Sequence, residues 1–334
     1  GIYGTPLQVH DALTDRQVTI PAKSVYTPHK TLGHQKAPAG VNLTQRQVLQ
    51  TNSDMYARLV ATSPFNRTDS WFFYTALYLK SLGYVLSGCF FEEKVLLSLQ
   101  NAALRAFLAK CGYNRNTQRT IVFAPIRYGG CGFLSLYLIQ GEGQILTFLK
   151  HWRTNTDAGN LLRIAVAWTQ LHIGTSACFL MDTQTPLPHL PGRWLRSLRS
   201  FLNRIDASLE LDSYFLPPPQ RQRDVYIMDM VIASESFTAP EICRINYCRL
   251  YLQAITLSDI CLADGIQLDP AMASGNPGPE SSTSTWIHVN QARPNEATWK
   301  LWRQACELWS HNNRLYHPLG EWHSITLRRQ WPVY

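Results

Sequence analysis

Residues 99–138, LQNAALRAFLAKCGYNRNTQRTIVFAPIRYGGCGFLSLYL, decide how the chain folds. Leu99, Ala102, Ala103, Ala106 and Phe107 recur at three- and four-residue spacing, which gives a helix one apolar face. Gly112 follows as a residue able to take positive φ and end that helix. A polar turn comes next, flanked by Arg115 and Arg119 with no acidic residue beside them. Ile121-Val122-Phe123 is a short apolar segment broken by Pro125, and Arg127-Tyr128-Gly129-Gly130-Cys131-Gly132-Phe133 leads into a second helix. Three glycines in four positions let backbone pass where a side chain would clash. Such a turn either brings bare N–H groups to a phosphate, as backbone nests do, or joins two packed helices tightly.

Outward from this stretch the pattern stays helical. The spacing predicts helices over 91–110, 134–151, 158–172, 191–206, 220–235, 239–254 and 296–310. Another starts at Asn42, with Val48, Leu49, Tyr56, Leu59 and Val60 on one side, and ends at Pro64. Thr68-Asp69-Ser70 is the expected cap of the next. Trp71–Phe91 is the most apolar run, but Lys80 and paired glycines and serines interrupt it. It reads as a buried helix ending near Gly83 and a turn, not as a membrane span. Thr238 and Glu241 form a capping box with Pro240 in the first turn. Strand-like runs at Arg16–Ile20 and Ser24–Tyr26, bounded by Pro21 and Pro28, make a small N-terminal β piece. Asp264-Gly265 signals one β-hairpin near 258–268. Residues 270–295, rich in Ser, Gly, Pro and Thr, read as a flexible linker. The final helix stacks Trp299, Trp302, Cys306 and Trp309 on a core-like face. The fold class expected is mainly α.

The 334 residues carry a formal net charge of +8, with 16% charged and 45% apolar residues, so the chain is globular with ample core. A sequence pI near 9.1 points to an anionic partner. Eight scattered cysteines without a Cys-x-x-Cys pair suit reduced, mostly buried thiols in an intracellular protein, nuclear or cytoplasmic. The tripeptides Asn42-Leu43-Thr44 and Asn66-Arg67-Thr68 match glycosylation sequons by chance. The chain opens on Gly1 rather than methionine, and we expect it to be a piece of a longer protein.

Chemistry-bearing constellations are few. On helix 191–206, Trp194, Leu195, Leu198, Phe201, Leu202 and Ile205 share one sector and Arg193, Arg196, Arg199 and Arg204 the opposite one. No acidic residue intervenes before Asp206. That face suits phosphates, or equally carboxylates on another helix. Cys243 and Cys248 would point about 140° apart on a helix and cannot share a metal, so no metal site is expected. Tyr226-Ile227-Met228-Asp229 has one carboxylate where two-metal chemistry needs adjacent and opposed ones, and reads as core packing. Neither a nucleophile elbow nor a Walker loop occurs.

Together these stretches resemble the region following the palm in reverse transcriptases of non-LTR-type retroelements. Lys30-Thr31-Leu32-Gly33 followed by Pro38-Ala39-Gly40 is similar to the motif that closes the palm, where a strand carrying a Leu-Gly pair lies beside the primer terminus. His34 stands where the family has an aliphatic residue. The likeness continues through Asp54-Met55-Tyr56-Ala57-Arg58, Trp71-Phe72-Phe73-Tyr74, residues 103–117 and Arg127–Phe133. It extends to Trp168–Gly174, Met228-Asp229, Arg244–Leu252, Ser258–Gly265 and Arg293–Trp299, and so covers nearly the whole chain. The resemblance implies the end of a palm-like β region at 1–41, a helical thumb-like region at 42–150 and a helical extension at 151–269. The linker at 270–295 and a C-terminal helix and tail at 296–334 would follow. It implies an RNA-directed DNA polymerase whose catalytic aspartates and Mg2+ lie in the palm, outside this chain, so that no catalytic residue and no cofactor is assigned here. The partners implied are an RNA template, an RNA–DNA or DNA duplex, and the rest of the polymerase chain. Arg105, Lys110, Arg115, Arg119 and Arg127 are the residues expected on duplex phosphates, with Arg193, Arg196, Arg199 and Arg204 second, and Leu32 and Gly33 supporting the primer end. The rival reading is a helical protein-interaction scaffold with no nucleic-acid role.

Overall fold

The computed structural model describes residues 7–11, 13–20, 23–212, 216–275 and 292–323. It is mainly helical, with small two-stranded antiparallel hairpins, and divides into two compact units, Gly1–Thr147 and Phe148–Tyr334.

In the first unit, β1 (Leu7–Asp11) pairs antiparallel with β2 (Arg16–Ile20), and β3 (His29–Thr31) with β4 (His34–Lys36). Ser24–Tyr26, expected as strand, is a turn instead. The Thr27 N–H donates to the Ser24 carbonyl at 2.9 Å and the Ser24 hydroxyl accepts from the Tyr26 N–H, a local alternative that serine offers the backbone. Helix α1 (Leu43–Thr62) is followed by α2 (Arg67–Phe72), a π-helical segment (Phe73–Tyr78) and α3 (Leu79–Leu86), which run on without a break. The cap of this run is Asn66, not Thr68–Ser70: its side chain accepts the Asp69 N–H at 2.9 Å, and the Asp69 carboxylate accepts the Asn66 N–H. The helix also passes Gly83 and continues to Leu86. Gly83 is tolerated inside because Ile139 packs so close that a Cβ there would sit 2.9 Å from its Cγ2. Helix α4 (Glu93–Lys110) packs along α1, and the apolar segment after it forms a short helix, α5 (Arg119–Phe123).

An aromatic cluster fills the core of this unit. The Tyr74 ring lies 5.5 Å from Tyr78, 5.0 Å from Phe107 and 4.8 Å from Phe133. The two buried hydroxyls are paired, as burial requires. Tyr74 donates to the Leu134 carbonyl at 2.6 Å and accepts from Gln100, while Tyr78 lies 3.0 Å from the Ser53 hydroxyl, which donates to the Leu99 carbonyl. Helix α6 (Leu136–Arg153) contributes Gln140, which accepts from the Phe91 N–H and donates to its carbonyl.

The second unit holds α7 (Asp157–Ile173), α8 (Trp194–Arg204), α9 (Ile227–Ala233), α10 (Ala239–Tyr251), α11 (Pro270–Ser274) and α12 (Glu296–Cys306). A hairpin of β5 (Ser310–His311) and β6 (Arg314–Leu315) follows. Pro240 sits in the first turn of α10, where the Thr238 N–H and hydroxyl both donate to the Glu241 carboxylate. Trp299, Trp302, Cys306 and Trp309 are buried against Ile245 and Cys248, so the tryptophan stack is core. The hairpin expected near 258–268 is reduced to one bridge, Cys261↔Leu268, preceded by a 3-10 turn at Leu257–Ile260. The expected linker begins with an ordered helix, because Asp269 caps α11 and Trp302 donates its indole N–H to the Met272 carbonyl; 276–291 lies outside the described residues. None of the eight cysteines is in a disulfide, and all but Cys243 and Cys261 are buried. No helix among the described residues is long and apolar enough to cross a membrane.

Candidate nucleic-acid interface

Positive charge is distributed unevenly. Residues 1–147 hold 14 lysines and arginines against 7 acidic residues, whereas 148–334 hold 17 against 16. The first unit thus carries +7 of the chain's +8. Within it, no aspartate or glutamate occurs between Glu93 and Glu142, a span containing Lys94, Arg105, Lys110, Arg115, Arg119 and Arg127. Lys94 pairs with Glu92 at 2.9 Å, which leaves five cations in an acid-free stretch.

The fold sets Arg119 within the field of Arg105. Arg105 is exposed on α4, and Arg119 opens α5 with its guanidinium donating to the Asn101 side chain and to the Thr117 carbonyl at 3.2 Å. Arg119 is held below the usual guanidinium range, by partial burial first and by the Arg105 charge second. A guanidinium lowered by a neighbouring like charge, in a stretch of sequence without acidic residues, suits an anionic ligand. Sequence reasoning missed Asn101, and its place four residues before Arg105 on the same helix face is the signal that could have found it.

The other basic residues differ. Lys110 donates to the Ser63 carbonyl at 2.6 Å, so its ammonium secures the C-terminal end of α1. Arg115 is exposed in a turn that the Asn114 side chain stabilises by accepting from the Asn116 N–H. Arg127 lies over the Tyr128 ring, 4.7 Å from its centroid, and both side chains are exposed.

The glycine turn is not a phosphate nest. The N–H groups of Tyr128, Gly129, Gly130, Cys131, Gly132 and Phe133 donate to Pro125, Ile126, Pro125, Ile121, Ala124 and Val122 respectively. A Cβ on Gly130 would stand 2.1 Å from the Ala124 oxygen, so the glycine permits backbone to meet backbone. The tight-connection reading is the one that holds.

Leu32 and Gly33 occupy the two-residue turn between β3 and β4, with φ of 47° and 83°. Both angles are positive, as the favoured hairpin turn demands, though a leucine there is unusual. The Leu-Gly pair is therefore a hairpin tip rather than part of a strand, and Leu32 is 84% exposed. His34, next along, is buried with Cys89 Sγ 3.6 Å from its Nε2, and burial lowers its pKa.

In the second unit the arginine face of α8 divides. Arg193, Arg196 and Arg204 are exposed, but Arg199 is buried and donates to the carbonyls of Phe179, Asp182 and Thr185. Arg196 also reaches the Leu190 carbonyl. The opposed faces read from the sequence are corrected at Arg199 and at Ile205, which is 44% exposed. The cause is tertiary: the loop entering α8 turns its carbonyls toward the helix. Tyr226 caps α9, Ile227 and Met228 are fully buried, and the Asp229 carboxylate accepts the Ser176 N–H at 3.0 and 3.2 Å. Among the described residues no three His, Cys, Asp or Glu side chains converge to hold a metal ion.

Compared with family models, with curated proteins and with solved structures, the chain finds no match in any of the three.

Proposed function

We propose that this chain is the post-palm part of a non-LTR-type retroelement RNA-directed DNA polymerase, and that its first unit grips the primer–template duplex. The acid-free basic stretch, in which Arg119 lies within reach of the Arg105 charge, is the observation that carries this reading. Arg115 and Arg127 join them in reaching backbone phosphates, and Lys110 adds charge from the end of α4. Exposed Arg193, Arg196 and Arg204 are a second set, and Arg199 leaves that set because its guanidinium is occupied. Leu32 and Gly33 stand beside the primer end in this reading. Phosphoryl transfer and its Mg2+ belong to the palm in the rest of the polymerase chain; the residues here bind and orient. Phosphate contacts release counterions, so binding is insensitive to sequence and falls steeply with salt.

The test is binding of a blunt RNA–DNA hybrid across a salt series. Replacing Arg105 and Arg119 together by alanine is expected to weaken binding and flatten the log–log salt slope by roughly two, about one for each phosphate that is no longer neutralised. An unchanged slope overturns the assignment of these two arginines to phosphates. Absence of binding even at low salt overturns the polymerase reading in favour of a protein-interaction scaffold.

A further inference from the structure

Ile126, Arg127 and Tyr128 stand in one exposed turn that the chain has taken trouble to fix. The 3-10 helix Ile126–Tyr128 closes with Tyr128 N–H on the Pro125 carbonyl and Gly129 N–H on the Ile126 carbonyl, both at 3.0 Å. Gly129 then takes a φ of 80°, and the following backbone is tied strand-fashion to α5, through Cys131 to Ile121 and Phe133 to Val122 at 2.9 and 3.1 Å. Buried Cys131 and Phe133 anchor it in the aromatic core. Ile126 lies across Gly132, where a Cβ would meet its Cγ1 at 2.7 Å.

What this frame displays is an aromatic ring in water. Tyr128 is 72% exposed and Ile126 68%. Among the described residues, no side-chain hydrogen bond or ion pair engages Arg127 or Tyr128; the two side chains meet each other, guanidinium over ring. A core role is excluded by exposure, and a turn-stabilising role by the backbone bonds that already close the turn. Rigid presentation of a flat surface lowers the entropy cost of binding, and an arginine beside a stacking ring adds its own cation–π attraction to a base. The turn lies inside the acid-free basic stretch of sequence, which favours a ligand that is both aromatic and anionic, as nucleic acid is.

We infer that the Arg127–Tyr128 turn is a stacking post for an unpaired nucleobase at the junction where the held duplex gives way to single strand. The inference rests on the duplex-binding reading above and adds to it a ligand class, single-stranded nucleic acid, that phosphate contacts do not distinguish. Stacking needs an open π-face, which bases inside a duplex do not offer, and it tolerates any base.

The experiment compares a blunt RNA–DNA hybrid with the same hybrid carrying a single-stranded tail, with 2-aminopurine as the first tail base. The full chain is used as wild type, Tyr128→Ala and Tyr128→Phe. Wild type is expected to bind the tailed hybrid more tightly and to quench the 2-aminopurine. Tyr128→Ala is expected to lose roughly tenfold in affinity for the tailed hybrid only, with the quench abolished and the salt slope unchanged. Tyr128→Phe should keep both affinity and quench, because the ring rather than the hydroxyl is at work. Equal affinity of wild type for tailed and blunt hybrids overturns the inference while leaving duplex binding standing. So does an alanine variant that still quenches, or one that loses blunt and tailed binding alike. A wild-type chain that binds neither hybrid sinks both readings. Exposure of Tyr128 protects the fold, and matching thermal unfolding of the three proteins verifies that.

Discussion

The two units differ in where their arginines are buried. In the first, arginines stand at the start of α5, on the outer face of α4 and in turns, without acidic neighbours in sequence. In the second, Arg199, Arg221 and Arg249 are buried and spend their donors on backbone carbonyls. Arg249 donates to the Asn246 side chain and to the carbonyls of Ala254, Leu171 and His172, closing the C-terminal end of α7. Arg221 donates to the Gly320 and Ala263 carbonyls at 2.9 and 3.1 Å, with the Trp322 ring against its guanidinium. Both guanidiniums rest on a glycine with positive φ: a Cβ on Gly174 would lie 2.6 Å from Arg249 Cζ, and one on Gly265 would lie 2.5 Å from Arg221 Nη2. A planar fork of five donors fits where loop carbonyls converge, and the missing Cβ makes room for it. The number of arginines in a unit therefore says little about its surface charge until their partners are known.

The sharpest way to break this contrast is to remove the deepest of these staples. Arg249→Met keeps the volume and strands four acceptors in a buried site, so the second unit is expected to lose about 3–5 kcal/mol in urea unfolding. The blunt-hybrid salt slope should stay as it was, because this guanidinium never faces a ligand. A small stability loss, or an altered slope, would mean that buried and displayed arginines are not separate classes.

A smaller effect comes from the imidazoles around the same staple. His189 is pushed down to about 3, by burial first, against the pull of the Ile173 carbonyl and with help from the charges of Arg249, His172 and Arg196. His172 falls to about 4 through burial and then Arg249. An unfolded chain takes up both protons near the ordinary imidazole value of about 6.5, whereas the folded unit resists until about pH 4. The unfolded state then binds more protons across that window, so stability falls as pH drops from about 6.5 to about 4, by on the order of a few kcal/mol. His189→Gln should flatten the decline of the urea midpoint in that range. A midpoint indifferent to pH there would show that neither imidazole is held neutral by the fold.

The helices were legible because their periodicity is local. Leu99 to Phe107 mark α4 by spacing alone, Trp299, Trp302 and Cys306 mark α12, which ends at Cys306 rather than at the expected 310 and leaves Trp309 in the turn after it, and Thr238 with Glu241 marks the start of α10. What escaped was decided by groups distant in sequence. The hairpin expected at Asp264-Gly265 shrinks to one bridge where Arg221, some forty residues earlier, binds the Ala263 carbonyl and lies on Gly265. The glycine turn allows two readings from its sequence, and the acceptors that decide between them lie in α5 and the residues after it. Charge on the face of α8 was visible as a pattern, but which guanidinium would meet a carbonyl was not, since Phe179, Asp182 and Thr185 look like ordinary loop residues. In the candidate interface the missing acids were plain in the sequence, while the approach of Arg119 to Arg105 and Asn101 needed the turn between α4 and α5.

The smallest expected effect sharpens the contrast from the side of the first unit. There a branched apolar residue takes a backbone conformation that polar residues such as Asp206 and Asn313 take at exposed positions of the second unit: Leu32 has a φ of 47° at an exposed hairpin tip. A branched apolar side chain in the left-handed region costs about 1–2 kcal/mol, whereas asparagine adopts it readily. Leu32→Asn is therefore expected to stabilise the hairpin by about 0.5–1 kcal/mol, raising Tm by a few degrees. If the variant is more stable yet holds the blunt hybrid less well, the leucine is kept for what it touches, and strain at the tip serves binding. If stability rises and binding is untouched, Leu32 lies outside the interface, and the grip belongs to the basic side chains without it.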